Sequence, residues 1–159
     1  MLTKADRYDI KGRKYVGANL KCYFSDVGLR NARLEFRQVE ETHLMENIIY
    51  NELRSRGYIV DVGVVEKRGT DENGKEYKNQ LEIDFVANLG SKRYYIQSAF
   101  SMPTEEKRIQ EKASLVNVND SFKKIIVVKD AVKEVGSYKA IVKLHKEVSV
   151  EIPFEVVAE

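Results

Sequence analysis

The chain has 159 residues, of which 43% are hydrophobic and 33% charged, and its 27 basic and 25 acidic residues nearly cancel. This size predicts one globular domain over residues 1–159, and the balanced charge excludes an overall field that would attract nucleic acid or an anionic membrane. No run reaches the roughly 18 to 20 apolar residues of a membrane span, and the lone Cys22 excludes an internal disulfide and favours a reducing compartment, the cytoplasm.

The first half of the chain predicts strands and then two helices. Residues 3–24 are rich in β-prone and aromatic residues, and a short helix, VGLRNARL, follows Asp26. From Glu41 an amphipathic helix runs to a stop at Gly57. Its apolar residues recur at helical spacing and are Leu44, Met45, Ile48, Ile49 and Leu53. A helical wheel places Glu52 inside this stripe, where a carboxylate needs a partner.

A glycine-rich stretch, GTDENGKE, follows the predicted strand YIVDVGVVEKR and has the spacing of a phosphate-binding loop. Such a loop requires serine or threonine after the lysine and then a helix, whereas Glu76 and a strand-like segment stand here. We therefore interpret residues 69–76 as the loop of a β-hairpin.

The segment LEIDFVANLGSKRYYIQSAF, residues 81–100, predicts a second hairpin whose turn is centred on Gly90 and Ser91. Counting outward from that turn pairs Phe85 with Ile96. The same count makes Asp84 and Gln97 direct cross-strand neighbours, and alternation puts Glu82 on their face.

The remaining chain predicts one more helix and further strands. Thr104 precedes EEKRIQEKASLVN as the predicted N-cap residue, and KKIIVVKD has the β-branched density of a strand covered on both faces. YKAIVKLHKEVSVEIPFEVV alternates as one or two strands. The central order is thus helix, three strands, helix, strand.

The acids of the first long helix and of the second hairpin suggest a cluster of oxygen ligands. Carboxylate and amide oxygens suit Mg²⁺ or Mn²⁺, and the chemistry of such a site is metal-assisted hydrolysis. A purely structural alternative remains open, in which Asp84 caps a loop, Gln97 bonds to its backbone and Glu52 pairs with an arginine such as Arg56 or Arg30.

The blocks FSDVGLRNA, LMENIIYNEL, LEIDFVA and YYIQSAF, in this order, resemble the PD-(D/E)XK nuclease superfamily, and within it the C-terminal domain of archaeal-type AAA+ ATPases. The resemblance implies an α/β fold with a restriction-endonuclease-like core, α-β-β-β-α-β, over about residues 41–128. N-terminal and C-terminal extensions flank this core. The resemblance also implies catalytic and metal-binding roles for Glu46 as the helix acid, Asp84 as the central metal ligand and Gln97 at the second acidic position.

Two departures from that pattern shape the functional expectation. Ala99 stands where the superfamily has its lysine, and Gln97 carries no charge, so efficient catalysis is not expected. No complete phosphate loop is present, so no ATPase activity is expected either. The resemblance then implies an accessory domain of an AAA+-type ATPase that is degenerate rather than an enzyme. Its expected partners are DNA or RNA, a partner protein or the ATPase module. No cofactor is required, with Mg²⁺ or Mn²⁺ as the candidate ions.

Two alternative functions stay open at this point. One is an active metal-dependent nuclease whose lysine has migrated, with Lys92, Arg93 and Lys107 as candidates. The other is a protein interaction module that recruits a partner by strand addition along residues 138–157.

Overall fold

The structure, a computed structural model, describes residues 1–37, 40–70, 74–129, 136–143 and 149–156. It contains two compact units, Met1–Lys129 and Asp130–Glu159. The fold is α/β, as expected, with three helices in the described residues and a mixed six-stranded sheet in the first unit. The single domain expected over residues 1–159 stays a prediction.

The elements follow one another in the order expected from the sequence. In the first unit they are β1 (Leu2–Asp9), β2 (Lys14–Phe24), α1 (Val27–Arg33), α2 (Glu41–Ser55), β3 (Ile59–Thr70), β4 (Glu76–Leu89), β5 (Lys92–Ala99), α3 (Glu105–Val116) and β6 (Lys123–Val128). The second unit contains β7 (Gly136–Lys143) and β8 (Ser149–Val156), which pair antiparallel. The expectation of one or two further strands in this region is therefore confirmed.

The six strands of the first unit lie in the order β2-β1-β3-β4-β5-β6. The pairs β1–β3 and β5–β6 are parallel, and the other three pairs are antiparallel. Two hydrophobic clusters stabilise this sheet, one including Tyr50 and Phe85, the other including Tyr95 and Leu115. The expectation that KKIIVVKD is covered on both faces is confirmed, because Ile125 and Val127 pack against the first cluster and Ile126 packs against the second. β6 is nevertheless an edge strand of this sheet, and its apolar residues are half-buried.

Local sequence signals account for the ends of several elements. The Asp26 carboxylate accepts from the backbone N–H of Leu29 at 2.8 Å, and the Thr104 hydroxyl accepts from that of Lys107 at 3.3 Å. Both contacts satisfy amides at the start of a helix that have no partner within it. Gly57 and Gly90 adopt φ angles of +84° and +58°, which glycine reaches without strain.

The hairpin interpretation of residues 69–76 is confirmed, because β3 and β4 pair antiparallel up to Thr70 and Glu76. Residues 71–73 lie outside the described part. The second predicted hairpin is confirmed as well, with Phe85 opposite Ile96 and Leu89 opposite Lys92.

The buried face of α2 differs from the one that its apolar spacing predicts. Asn47 and Tyr50 are buried, whereas Ile48 is 57% exposed. The Asn47 amide explains this rotation of the helix, since it donates to the carbonyl of Phe24 at 2.7 Å and accepts from the N–H of the same residue at 2.9 Å. The expectation that Glu52 is buried in the stripe is therefore wrong. Its side chain is 56% exposed and pairs with Arg56, one of the two arginines named by the structural alternative.

The restriction-endonuclease-like core over residues 41–128 stays a prediction, although α2, β3, β4, β5, α3 and β6 follow the expected order. In the part of the chain that the structure describes, no helix is long and apolar enough to cross a membrane.

Candidate functional site

A lysine on β2 occupies the centre of the charged groups that the sequence singles out. The Lys21 ammonium nitrogen lies 2.8 Å from Oε1 of Glu46 and 2.7 Å from Oε1 of Glu82. It also lies 3.4 Å from Oδ1 of Asp84. We call the six side chains that meet here the Lys21 cluster. They are Arg7, Lys21, Tyr23, Glu46, Glu82 and Asp84.

The cluster is built from β1, which carries Arg7, together with β2, β4 and α2. Glu82 and Asp84 alternate along β4 and so share one face of the sheet. Lys21 and Tyr23 have the same relation on β2, and α2 supplies Glu46. The phenol of Tyr23 donates to Oε1 of Glu46, and its ring stacks on that of Tyr50 at a centroid distance of 4.1 Å. The cluster therefore joins α2 to two non-adjacent strands.

Burial and charge act differently on the two acids of β4. Burial raises the pKa of Asp84 to about 6, although the Ser98 N–H and the Lys21 ammonium oppose this change. Burial also acts to raise the pKa of Glu82, but its hydrogen bond to Lys21 and the charges of Lys21 and Arg7 outweigh burial, and the net pKa is lowered. Glu82 is therefore the more firmly ionised carboxylate of the two.

The donors of the cluster are held in their protonated forms. Burial acts to lower the pKa of Lys21, yet its hydrogen bonds to Glu46 and Glu82 raise that pKa on balance. Burial raises the pKa of the Tyr23 phenol, and the negative charge of Glu46 raises it further. Lys21 thus serves as a permanent cation among three acidic side chains.

The structure places the three predicted site residues in two different environments. Glu46 and Asp84 both contact Lys21. The Gln97 side chain instead accepts a hydrogen bond from the Ser114 hydroxyl of α3 at 3.4 Å, and the ladder between β4 and β5 ends one pair earlier, at Phe85 and Ile96. Asp84 accepts from the backbone N–H of Ser98 at 2.8 Å, so it has a backbone partner on β5 rather than the Gln97 side chain.

The described residues include no group of three or more His, Cys, Asp or Glu side chains arranged to hold a metal ion. Binding of Mg²⁺ or Mn²⁺ by Glu46, Asp84 and Gln97, and the catalytic role of these residues, stay predictions. Ala99, which occupies the position of the expected lysine, is buried.

Sequence reasoning missed Lys21, Arg7 and Tyr23. Of the basic residues that it named instead, Lys107 pairs with Glu111 at 2.8 Å, while Lys92 and Arg93 lie along a separate cavity. The available signal was the alternation of Lys21 and Tyr23 in KCYF, which puts both on one face of a strand.

Comparison with known proteins links the C-terminal part of the chain to a ribosomal protein. Residues 105–158 match the family model for "Ribosomal protein L9, C-terminal domain". The chain is 97% identical over 37 residues to the large ribosomal subunit protein bL9 of Phocaeicola vulgatus, a match covering 23% of this chain and 25% of that protein. It is 65% identical over 48 residues to bL9 of Parabacteroides distasonis, covering 30% of each.

A longer match involves a protein of Haemophilus influenzae described as uncharacterized. The two are 33% identical over 124 residues, which cover 78% of this chain and 27% of that protein. The chain thus spans 25 to 30% of the length of these relatives. No solved structure matches.

These comparisons overturn the resemblance proposed from the short blocks. The assignment to the nuclease-like C-terminal domain of AAA+ ATPases is wrong, because the matched family model and the relatives that are 95 to 97% identical over 37 residues belong to ribosomal protein L9. The functions drawn from that assignment, an ATPase accessory domain, an active nuclease and an interaction module of that family, are wrong with it. Short blocks such as LEIDFVA are patterns of a buried strand as much as of a nuclease site, which is why they misled.

Proposed function

We propose that this chain associates with the large ribosomal subunit through residues 105–158, in a binding role without catalysis. The observation that carries the proposal is the 97% identity over 37 residues to a large ribosomal subunit protein. A segment identical to that degree retains nearly every side chain with which the relative could contact a binding partner. The role requires no cofactor and places the chain in the cytoplasm, where ribosomes work.

RNA is the partner that we propose within the subunit. Association with RNA relies on lysine and arginine side chains that displace counterions from phosphates. The matched region carries exposed lysines in its described part, among them Lys112 and Lys123. It carries further lysines in the β7 sequence, Lys139 and Lys143.

Co-sedimentation tests this proposal. The full chain is mixed with large ribosomal subunits of Phocaeicola vulgatus depleted of their own bL9, and it is expected to sediment with them in a saturable manner. Purified bL9 should displace it, because the two would share one site. A chain that stays in the supernatant, or that bL9 fails to displace, would contradict the proposal.

Reversing two charges tests whether residues 105–158 carry the association with the large ribosomal subunit. The variant Lys139→Glu, Lys143→Glu is expected to weaken association at least tenfold, the effect of about 1.4 kcal/mol lost from two phosphate contacts. The matched control is Lys4→Glu, Arg33→Glu, which reverses two exposed charges outside residues 105–158. An equal loss of affinity in both variants would contradict binding through residues 105–158.

A further inference from the structure

A cavity of about 770 Å³ lies in the first unit, away from the Lys21 cluster. It is formed where the β1–β2 turn, the β4–β5 turn and the connection from α3 to β6 come together. We call it the turn cavity, and the lining residues that matter below are Tyr8, Lys11, Arg13, Lys92, Arg93 and Phe122. Its volume is in the range of small-molecule sites.

Ion pairs within the described residues do not neutralise the cations that line the turn cavity. Within the described residues, none of Lys11, Arg13, Lys92 and Arg93 forms an ion pair with a carboxylate. Four positive side chains therefore face one concave surface, and a cleft lined by one sign of charge concentrates ligands of the opposite sign.

The two acids of the lining do not cancel this charge, because each is paired with a cation outside the cavity. Glu66 pairs with Lys78 at 2.5 Å and with Arg68 at 3.4 Å. Asp120 lies 3.8 Å from the Lys124 ammonium and accepts a hydrogen bond from the Tyr95 phenol at 2.6 Å.

Arg93 is oriented in advance by its neighbours. Its guanidinium carbon lies 5.4 Å from the ring centre of Tyr8 and 5.5 Å from that of Phe122. Its Nε donates to the Asn88 side-chain oxygen at 2.7 Å. The guanidinium also forms hydrogen bonds with the phenols of Tyr95 and Tyr8. These neutral partners orient it and leave its positive charge available to a phosphate oxygen.

We propose that the turn cavity binds a nucleotide, with its phosphate at Arg93 and the neighbouring cations. The nucleotide is either free or part of an RNA strand. The volume exceeds what a bare phosphate needs, and the aromatic side chains Tyr8 and Phe122 offer surface for a base. This inference does not rest on ribosome association, because every cation that it uses lies before residue 105.

The test measures binding of three probes to the full chain by titration calorimetry and fluorescence anisotropy. The probes are ADP, inorganic pyrophosphate and a single-stranded RNA of about eight nucleotides. Saturable binding of ADP that weakens as salt rises is expected, and it would be stronger than binding of pyrophosphate if the base contributes. Tighter binding of the RNA than of ADP would identify a strand as the source of the nucleotide. The absence of saturable binding for all three probes would overturn the proposal.

Substitutions of lining residues test whether ADP binds in the turn cavity. Lys92→Glu and Arg13→Glu are each expected to weaken ADP binding by about tenfold, the effect of one lost charge-assisted hydrogen bond. The matched control Lys112→Glu reverses an exposed lysine that does not line the cavity, and it should bind as the unmodified chain does. An equal loss in the control would overturn the assignment.

Two further variants keep the test independent of folding and of ribosome association. Arg93→Lys retains the charge beside the two rings but loses the guanidinium, so ADP binding should fall while circular dichroism still reports the folded state. The ribosome variant Lys139→Glu, Lys143→Glu should bind ADP normally. If it loses ADP binding while the turn cavity variants keep theirs, the cavity is not the site.

Discussion

The ammonium nitrogen of Lys21 lies 2.8 Å from Oε1 of Glu46, a residue 25 positions further along the chain. The Lys21 side chain is only 24% exposed, and that of Glu46 17%, so water screens this contact weakly. The pair therefore links an outer strand to a helix through a partly buried charge contact.

Removing Lys21 should destabilise the first unit strongly. In Lys21→Ala, Glu46, Glu82 and Asp84 would share a half-buried space, and the free energy of unfolding is expected to fall by about 2 to 3 kcal/mol near neutral pH. Urea denaturation measures this change. The control is Glu52→Gln on the surface, where the exposed pair with Arg56 contributes less than about 1 kcal/mol. Equal effects of the two substitutions would show that the cluster does not stabilise the fold.

Asp84 should make stability fall as pH rises. Its pKa is raised by burial from 3.8 to about 6, so the folded state holds a proton that the unfolded chain releases. Its contribution is complete below pH 3.8 and is lost as pH rises towards 6, by about 2 to 3 kcal/mol.

The substitution Asp84→Asn isolates this effect. The asparagine side chain does not titrate, so the difference in unfolding free energy between variant and parent should change over the same interval. Urea denaturation at several pH values measures it. Glu82→Gln serves as a control of opposite sign, because the pKa of Glu82 is lowered and its contribution is lost as pH falls. Identical pH profiles for the parent and Asp84→Asn would refute the assignment.

The metal site predicted at Glu46, Asp84 and Gln97 can be tested by removing the lysine that contacts two of its ligands. In Lys21→Ala, carboxylate oxygens of Glu46 and Asp84 lose their cation, and affinity for Mn²⁺ is expected to rise at least about tenfold relative to the parent chain. Electron paramagnetic resonance of free Mn²⁺ reports the binding. Adding Asp84→Asn should abolish the gain, and an unchanged affinity in Lys21→Ala would exclude the site.

Asn47 should be essential for docking α2 on β2. Its amide forms a hydrogen bond with the N–H and another with the C=O of Phe24, so Asn47→Ala leaves that N–H without this partner and leaves the C=O with Asn51 alone. The expected loss of unfolding free energy is about 2 to 4 kcal/mol, from two hydrogen bonds at one to two kcal/mol each. Asn51→Ala is the matched control, since Asn51 donates to the same carbonyl but accepts nothing from Phe24. A loss in Asn51→Ala as large as in Asn47→Ala would contradict this account.

Gly63 should not tolerate a side chain. A Cβ atom there would lie 2.9 Å from Cγ2 of Val86 and 3.0 Å from Cβ of Ile83, closer than packed atoms allow. Gly63→Ala is expected to lower the free energy of unfolding by about 1 to 3 kcal/mol through overpacking. Gly17→Ala is the control, because nothing lies within 4 Å of its added Cβ. Thermal unfolding compares the two, and equal melting temperatures would show that β3 and β4 can separate at Gly63.

Features encoded by neighbouring residues were predictable from the sequence. The turn at Gly90 and Ser91 fixed the register of β4 and β5, and Thr104 marked the start of α3, because both signals act within a few residues. The face of α2 was predicted less well. Apolar spacing favoured Ile48 as buried, but the buried amide of Asn47 turns the helix by about one residue, and a hydrogen bond to a distant strand leaves no trace in local periodicity.

The candidate site was predictable only in part, for a related reason. Asp84 was recognised from its place on the predicted hairpin, and Glu46 only through the resemblance that is itself wrong, whereas Lys21 reaches both through the position of β2 in the sheet. That position depends on β1 pairing in parallel with β3, which connects residues more than 50 positions apart, as in the pair Arg7 and Val62. Parallel pairing of distant strands cannot be read from spacing.

The place of β1 between β2 and β3 also sets an order of events during synthesis. Leu2–Asp9 can form a hairpin with Lys14–Phe24 early, but its other edge stays open until Ile59–Thr70 has left the ribosomal exit tunnel. An open strand edge is a template for unwanted pairing with other chains. The charged side chains of Lys4, Asp6 and Arg7 oppose edge-to-edge association with other chains before β3 has been synthesised, and so lower the tendency of the nascent chain to aggregate.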